Sequence, residues 1–388
     1  MMALATVLVC GGCSKDTDSN ECNLGEYSGD FTISTQSDIA AIAECTSISG
    51  NLHIKCLSCT DLDGLDGLTS VGGTLEIRNN SVLINLDGLS GITSVGEDLL
   101  IGSYYNGGNH VLANLDGLSA LTSVGGNFSI SHNDTLISLD GLSALTSVGG
   151  DLEIFYNYTL TNLDGLSSLT SVSGVLQIDA NHALTNLDGL SNITSVGDGL
   201  CISSNPTLTN LNGLSGIILV GGSLWIEANA AMTNLDGLSN ITSVGESLGI
   251  FNNAAITNLD GLSGLTSVDG LMIENNSALT SLDGLSGITS VGEDLWIRYN
   301  AVLTDLDGLN NITSVGGDLE IEDNYTLANV DGLSGLTSVV DEFMISDNDV
   351  LPDCEACDLL DQLTSEPTSI DVDSNLSDAC TPVPASCP

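Results

Sequence analysis

The stretch LEIFYNYTLTNLDGLSSLTSVSGVL, residues 152–176, decides the fold. Leu152 and Ile154 flank Glu153, the alternation of a strand with one buried face. Asn157 follows, and then Leu160, Leu163, Leu166, Leu169 and Val172 come at steps of three. A three-residue step suits tight corners and short 3₁₀ pieces. Leu176 and Ile178 then restart the strand pattern. No segment carries the i, i+3, i+4, i+7 stripe of a long packed helix.

The unit recurs along most of the chain. Asp-Gly-Leu begins at Asp63, Asp87, Asp116, Asp140, Asp164, Asp188, Asp236, Asp260, Asp283, Asp307 and Asp331, with Asn212 in the twelfth slot. The steps are 24 residues, except 29 after Asp87 and 23 after Asp260. The extra residues fall in Ser103–Gly108, a loop bulging from one coil. One such unit cannot bury its apolar face alone, whereas a stack of them can. The expected fold is therefore all-β: a right-handed parallel β-solenoid of about twelve coils with disulfide-stapled caps.

Two polar columns and a series of glycine pairs accompany the leucines. Asn133, Asn157, Asn181, Asn205, Asn229, Asn253, Asn276, Asn300 and Asn324 occupy one register position, extended by Asn80, Asn109 and Asn348. Stacked amides there would satisfy turn groups otherwise buried unpaired. The Asp-Gly-Leu carboxylates are expected to cap the following turn. A cap contributes ~0.5–2 kcal/mol, whereas carboxylates one strand spacing apart repel by ~0.9 kcal/mol in water. The alternative is a Ca²⁺ ladder, but the Gly-Gly-x-Gly-x-Asp nonapeptide of calcium-binding rolls is absent. Gly pairs such as Gly72-Gly73 and Gly149-Gly150 are expected at a corner needing positive φ.

Composition narrows function. The 388 residues carry 4 Lys plus Arg against 51 Asp plus Glu, a formal net charge of −47. That excludes the basic footprint of a nucleic-acid binder and an electrostatic grip on anionic lipid. Cationic ligands and divalent cations stay open as partners, and no cofactor is implied. The Asp residues come one per repeat, and no coil gathers a distinct acid–base cluster, so the reading is non-enzymatic.

Cysteines concentrate at the ends. Cys22, Cys45, Cys56 and Cys59 precede the repeats, and Cys354, Cys357, Cys380 and Cys387 follow them. This distribution reads as stapled caps in an oxidising compartment. Zinc is the rival, because Cys56-x2-Cys59 and Cys354-x2-Cys357 have ligand spacing. At the C-terminal end a short amphipathic helix from Pro352 to Leu363 is expected, pinned by Cys354 or Cys357 to Cys380. Ile370, Val372 and Asn375 then replay the strand. Cys201, inside a repeat, reads as a free thiol.

Met1–Val9 is an apolar run of signal-peptide type. With Cys10-Gly11-Gly12-Cys13 and the polar stretch after it, it resembles a bacterial lipoprotein signal. That resemblance implies diacylglycerol on Cys13, although Cys10 stands where Leu is usual. The organisation expected is a signal peptide over 1–12, a tether over 13–25, and an N-terminal cap with first coil over 26–60. The repeats then run over 61–350, a helix-plus-coil cap over 351–380, and a Pro-rich tail over 381–388. An exported chain, lipid-anchored in the cell envelope, follows from this reading.

The first coil, Cys45-Thr46-Ser47-Ile48-Ser49-Gly50-Asn51-Leu52-His53-Ile54, resembles the opening of a receptor L domain, the leucine-rich-repeat-like β-helix of some receptor ectodomains. The repeat unit is also similar to those of fungal cell-wall proteins. The resemblance covers roughly residues 26–375 and implies a Cys22–Cys45 bridge. It implies little about function, because members range from receptors to wall components.

The residues between and after the inward pair of each strand face solvent. On this face lie Trp225, Phe251, Met272 and Trp296 over four neighbouring coils, with Tyr299 nearby. An aromatic patch rimmed by acids is a candidate surface for a protein or glycan ligand. Arg298, with Glu274 and Glu322 in adjacent coils, is expected to form a cross-strand ion pair. The four His read as isolated surface residues. The expected role is recognition or adhesion at the cell surface; a structural spacer of the envelope is the alternative.

Overall fold

Each Leu-x-Ile segment forms a strand, because alternation puts two branched side chains inward and one residue outward. In the computed structural model, which describes Cys22 and residues 25–103 and 107–376, these strands form one parallel sheet of 15. It runs from Phe31–Ile33 to Ser369–Asp371. Pairing is in register, with Leu152 opposite Leu176 and Ile154 opposite Ile178. Every coil therefore stacks like on like, and the leucines form a continuous axial core from Tyr27 to Leu360. Each fully buried Leu or Ile contributes about 1.5–3 kcal/mol. The protein is an all-β parallel solenoid.

A second, narrower parallel sheet of 10 strands is built from the Ser-Val pairs, from Glu26–Tyr27 to Ser243–Val244. Isolated bridges at Val268, Val291 and Val315 continue it. The third side is made of 3₁₀ turns at Asp-Gly-Leu, from Asp87–Leu89 to Asp331–Leu333. The three-residue leucine step thus takes the short 3₁₀ form.

The Asn column is buried and fully engaged. Asn157 donates through Nδ2 to the Ile130 carbonyl at 2.8 Å, and its backbone N–H donates to Asn181 Oδ1 at 3.2 Å. The same pattern links Asn80 through to Asn348 and on to Asn375. A second ladder, not foreseen, lies just before the strands. Asp98 Oδ1 accepts from the Asn127 N–H, Asn127 Oδ1 from Asp151, and Asp151 Oδ1 from Val175.

The capping expectation needs correction. Among the described residues the Asp-Gly-Leu carboxylates accept from no backbone N–H of the turn, and that of Asp140 accepts instead from the Ser138 hydroxyl. The cap is provided two residues earlier: Asn162 Oδ1 accepts from the Asp164 N–H at 3.1 Å, and Asn186 does the same for Asp188. This is an Asx turn. The Asp column stands in solvent, and nothing in the fold requires its charge.

The glycine expectation also shifts. The Gly pairs do not hold positive φ; they are small because a Cβ on Gly125 would lie 2.1 Å from the Gly96 carbonyl oxygen. Positive φ falls on the residue before every ladder Asn but Asn109, among them Tyr156, Ala180, Ala228 and Tyr299 at φ 56°, 53°, 54° and 56°. The left-handed residue swings the chain out of the strand and lets the next Asn turn inward.

Both ends are capped. Gln36–Ile42 forms an α-helix whose capping box pairs Thr35 with Asp38. This helix was not anticipated, although Thr35-x-x-Asp38 is its sequence signature. Two backbone N–H groups, of Ser34 and Thr35, hold the Asp38 carboxyl below its usual range. Cys22 is bridged to Cys45 and Cys56 to Cys59, each pair with Cα atoms 5.4 Å apart. Asp353–Asp361 is the C-terminal helix, burying Ala356, Cys357, Leu359 and Leu360. Cys354 and Cys357 are both disulfide-bonded. Cys13, Cys380, the signal segment and the tail lie outside the described residues, as does the middle of the Ser103–Gly108 loop.

Candidate binding face

The outer face of the 15-stranded sheet presents two columns per coil: the residue between Leu and Ile, and the residue after Ile. Strand pairing aligns Trp225, Gly249, Met272, Trp296, Glu320 and Met344 in the first column. Glu227, Phe251, Glu274, Arg298 and Glu322 align in the second.

Four of the five ligand-face candidates come together here. Trp225 and Phe251 stack, with ring centroids 5.2 Å apart and planes 20° apart. Gly249 makes room for them, since a Cβ there would meet Phe251 at 2.2 Å and Trp225 at 2.9 Å. Met272 and Trp296 are neighbours in the next two coils. All four are half-buried. Tyr299 stands apart, at the left-handed corner after the strand and 41% exposed. The charges of Glu322 and Asp323 beside it hold its phenol above the usual range.

Arg298 departs from expectation. It is opposite Glu274 and Glu322 in the register. Its guanidinium instead lies 4.2 Å from the Trp296 ring centroid and pairs with Glu320. A cation over an indole face adds about 0.5–2 kcal/mol, which explains the diagonal choice. Burial, first, and the Asp323 charge then leave Glu322 with a raised pKa, against the pull of Arg298.

Acids line the strip on both edges. Glu246, Asp269, Glu293 and Asp294 lie on the side where the chain enters the strands, and Glu227 and Glu274 on the other. Beyond Trp296, carboxylate oxygens of Asp318, Glu320 and Glu342 come within 4.8 Å of one another. Asp318 Oδ1 already accepts the Glu342 N–H, and Glu320 already pairs with Arg298.

The other described cations are also spoken for. Lys55 and Arg78 both pair with Glu76, as does His53 at 2.7 Å. Burial pushes the Glu76 carboxyl up, but Lys55, His53 and Arg78 together hold it below its ordinary value. The His residues are not isolated, contrary to expectation. His110 meets Asp134 at 2.7 Å, His132 packs on Tyr156 and His182 on Tyr158. Burial lowers the His132 pKa. Cys201 is a free thiol, held above its usual pKa by burial.

Recesses occur at the caps, such as one lined by Leu360, Leu363, Pro367 and Ile370 and another by Cys22, Ala40 and Glu44. Among the described residues, no helix is long and apolar enough to cross a membrane. No protein-family model matches this chain, and comparison with curated proteins finds no significant match.

Proposed function

We propose that the chain is an exported, non-catalytic recognition or adhesion protein, held at the cell surface by a lipid on Cys13 and displaying one flat solenoid face to a protein or glycan ligand. The observation that carries this reading is the half-buried strip of Trp225, Phe251, Met272 and Trp296, gathered over four neighbouring coils of one sheet face. Apolar rings kept partly in water, with a glycine opposite them to let them pack, suit a contact surface. Disulfides in the caps fit an oxidising compartment outside the cytosol.

A structural spacer is the second reading. It is favoured by the buried Asn ladder, whose uniform repetition needs no ligand to explain it. The two readings part on binding. The purified chain is tested against a glycan array and envelope extracts, with and without Ca²⁺, beside a Trp225→Ala/Trp296→Ala variant. Binding that the variant loses supports recognition. No binding under any condition, with circular dichroism intact, favours the spacer.

A further inference from the structure

We propose that the ligand of the aromatic strip is a cationic glycan, a β-linked aminosugar chain carrying free ammonium groups. The inference rests on the recognition reading above and specifies its partner. Three features of the face point the same way.

The first is charge. The strip lies between two lines of carboxylates, with Glu246, Asp269 and Asp294 on one edge and Glu227, Glu274 and Glu322 on the other. No described Lys or Arg is left over to neutralise them, because Lys55 and Arg78 pair with Glu76 and Arg298 with Glu320. A net charge of −47 extends that field over the whole molecule. Such a surface repels acidic polysaccharides and draws in cations.

The second is the cation already seated over one ring of the strip. The Arg298 guanidinium sits 4.2 Å from the Trp296 centroid. Trp225 has no such partner among the described cations; its packing is with Phe251. A ligand ammonium at Trp225, flanked by Glu227, would repeat within the complex what Arg298 and Glu320 do within the chain.

The third is periodicity. The side chains of the strip follow one another at the ~4.8 Å spacing of paired strands, with rings at Trp225, Phe251 and Trp296 and the Met272 thioether between the last two. One pyranose unit of a β-linked chain is of similar length. Successive units of such a chain turn over, so a polymer laid along the solenoid axis would offer ring faces to the aromatic strip and ammonium groups alternately to its two acidic edges. A cationic peptide supplies charge but no flat sugar ring to stack on Trp225, Phe251 and Trp296.

The test is isothermal titration of the purified chain with four probes: a fully deacetylated β-1,4-glucosamine hexamer, its fully N-acetylated counterpart, cellohexaose and hexalysine. The expected result is binding of the glucosamine hexamer at least tenfold tighter than any other probe, weakened by added salt. It should weaken at least tenfold in Glu227→Gln/Glu274→Gln/Glu322→Gln, which removes charge without removing rings. Tight binding of cellohexaose or the N-acetylated hexamer, unaffected by the triple change, overturns the cationic assignment and leaves glycan recognition standing. Hexalysine binding alone overturns it in favour of a basic peptide partner. No binding by any probe overturns this proposal; a simultaneous blank on the glycan and extract arrays takes the recognition reading with it.

Discussion

Removing one amide from the middle of the Asn ladder should cost far more than a surface substitution in the same coil. Asn181 is fully buried. Its Nδ2 donates to the Ile154 carbonyl at 2.8 Å and to the Asp179 carbonyl at 3.0 Å, and its Oδ1 accepts the Asn157 backbone N–H at 3.2 Å and the Asn157 Nδ2, which keeps other acceptors, at 3.3 Å. Asn181→Ala strips partners from two carbonyls and one N–H. An unsatisfied buried group costs about 1–3 kcal/mol. Carbonyls with a second lone pair suffer less than the orphaned N–H, so the expected total is roughly 3–6 kcal/mol. The control is Asn186→Ala, which removes the cap on the Asp188 N–H at 3.1 Å and an exposed contact to the Thr185 hydroxyl, and should cost about 1 kcal/mol. Asn181→Asp separates the two functions of the amide. It keeps the acceptor but turns a carboxylate toward the Ile154 carbonyl. The buried carboxyl is then raised in pKa, so its penalty is present above the unfolded value of about 4 and relieved below it. Relative to the native chain, Asn181→Asp should therefore recover on acidification, and Asn181→Ala should not. Urea unfolding gives the difference in stability. Hydrogen exchange shows whether the loss is local to the coils around Asn181, as nearest-neighbour stacking requires. A cost below about 1 kcal/mol for Asn181→Ala would refute the ladder as a source of stability.

Gly189→Ala should disrupt stacking, since its Cβ would lie 1.9 Å from the Leu163 carbonyl oxygen, whereas the adjacent Asp188→Asn should be nearly neutral by thermal unfolding. Ala228→Gly should stabilise by up to about 1 kcal/mol, because it relieves a left-handed residue at φ 54°; a loss would show that the alanine methyl matters more than the strain. Replacing Cys22 and Cys45 by Ser should cost about 3 kcal/mol in urea unfolding, from the loop entropy of a 23-residue separation. The pH profile should be domed. Burial and neighbouring acids raise the folded pKa of Glu153 and Glu322, so stability should rise as pH falls from about 7 towards 5. Glu76 and Asp38 are depressed in the fold, so their contribution should be lost below about pH 4 as they protonate. A profile that only falls on acidification would contradict the raised pair.

Periodicity exposed the solenoid because the Leu-x-Ile and Leu-x-x-Leu spacings of residues 152–176 admit few other burial patterns. It also exposed which residues share a column. It did not reveal what each column does, because every column of a repeat has the same period. The repeat pattern points to Asp164 as the cap, which Asn162 holds, and to Gly149-Gly150 for positive φ, which Tyr156 carries. Two residues of offset separate cap from neighbour, and only backbone geometry resolves them. Helix Gln36–Ile42 escaped because it is short and lies outside the repeat, although its capping box was readable. In the candidate site, strand alternation placed Trp225, Phe251, Met272 and Trp296 on one face. The partner of Arg298 was not legible, since register puts it opposite Glu274 and Glu322 while the Trp296 ring draws it across to Glu320.

Trp225 and Trp296 are the only two tryptophans in the sequence, and both lie in the strip. Intrinsic fluorescence is therefore a direct reporter of the face on which the functional account rests. The most direct measurement is emission of the purified chain titrated with ligands found on the arrays, followed for intensity and wavelength. The account predicts a saturable change whose midpoint matches the affinity from calorimetry. Saturable binding that leaves the emission of both tryptophans untouched would contradict it, because the ligand would then sit elsewhere on the solenoid.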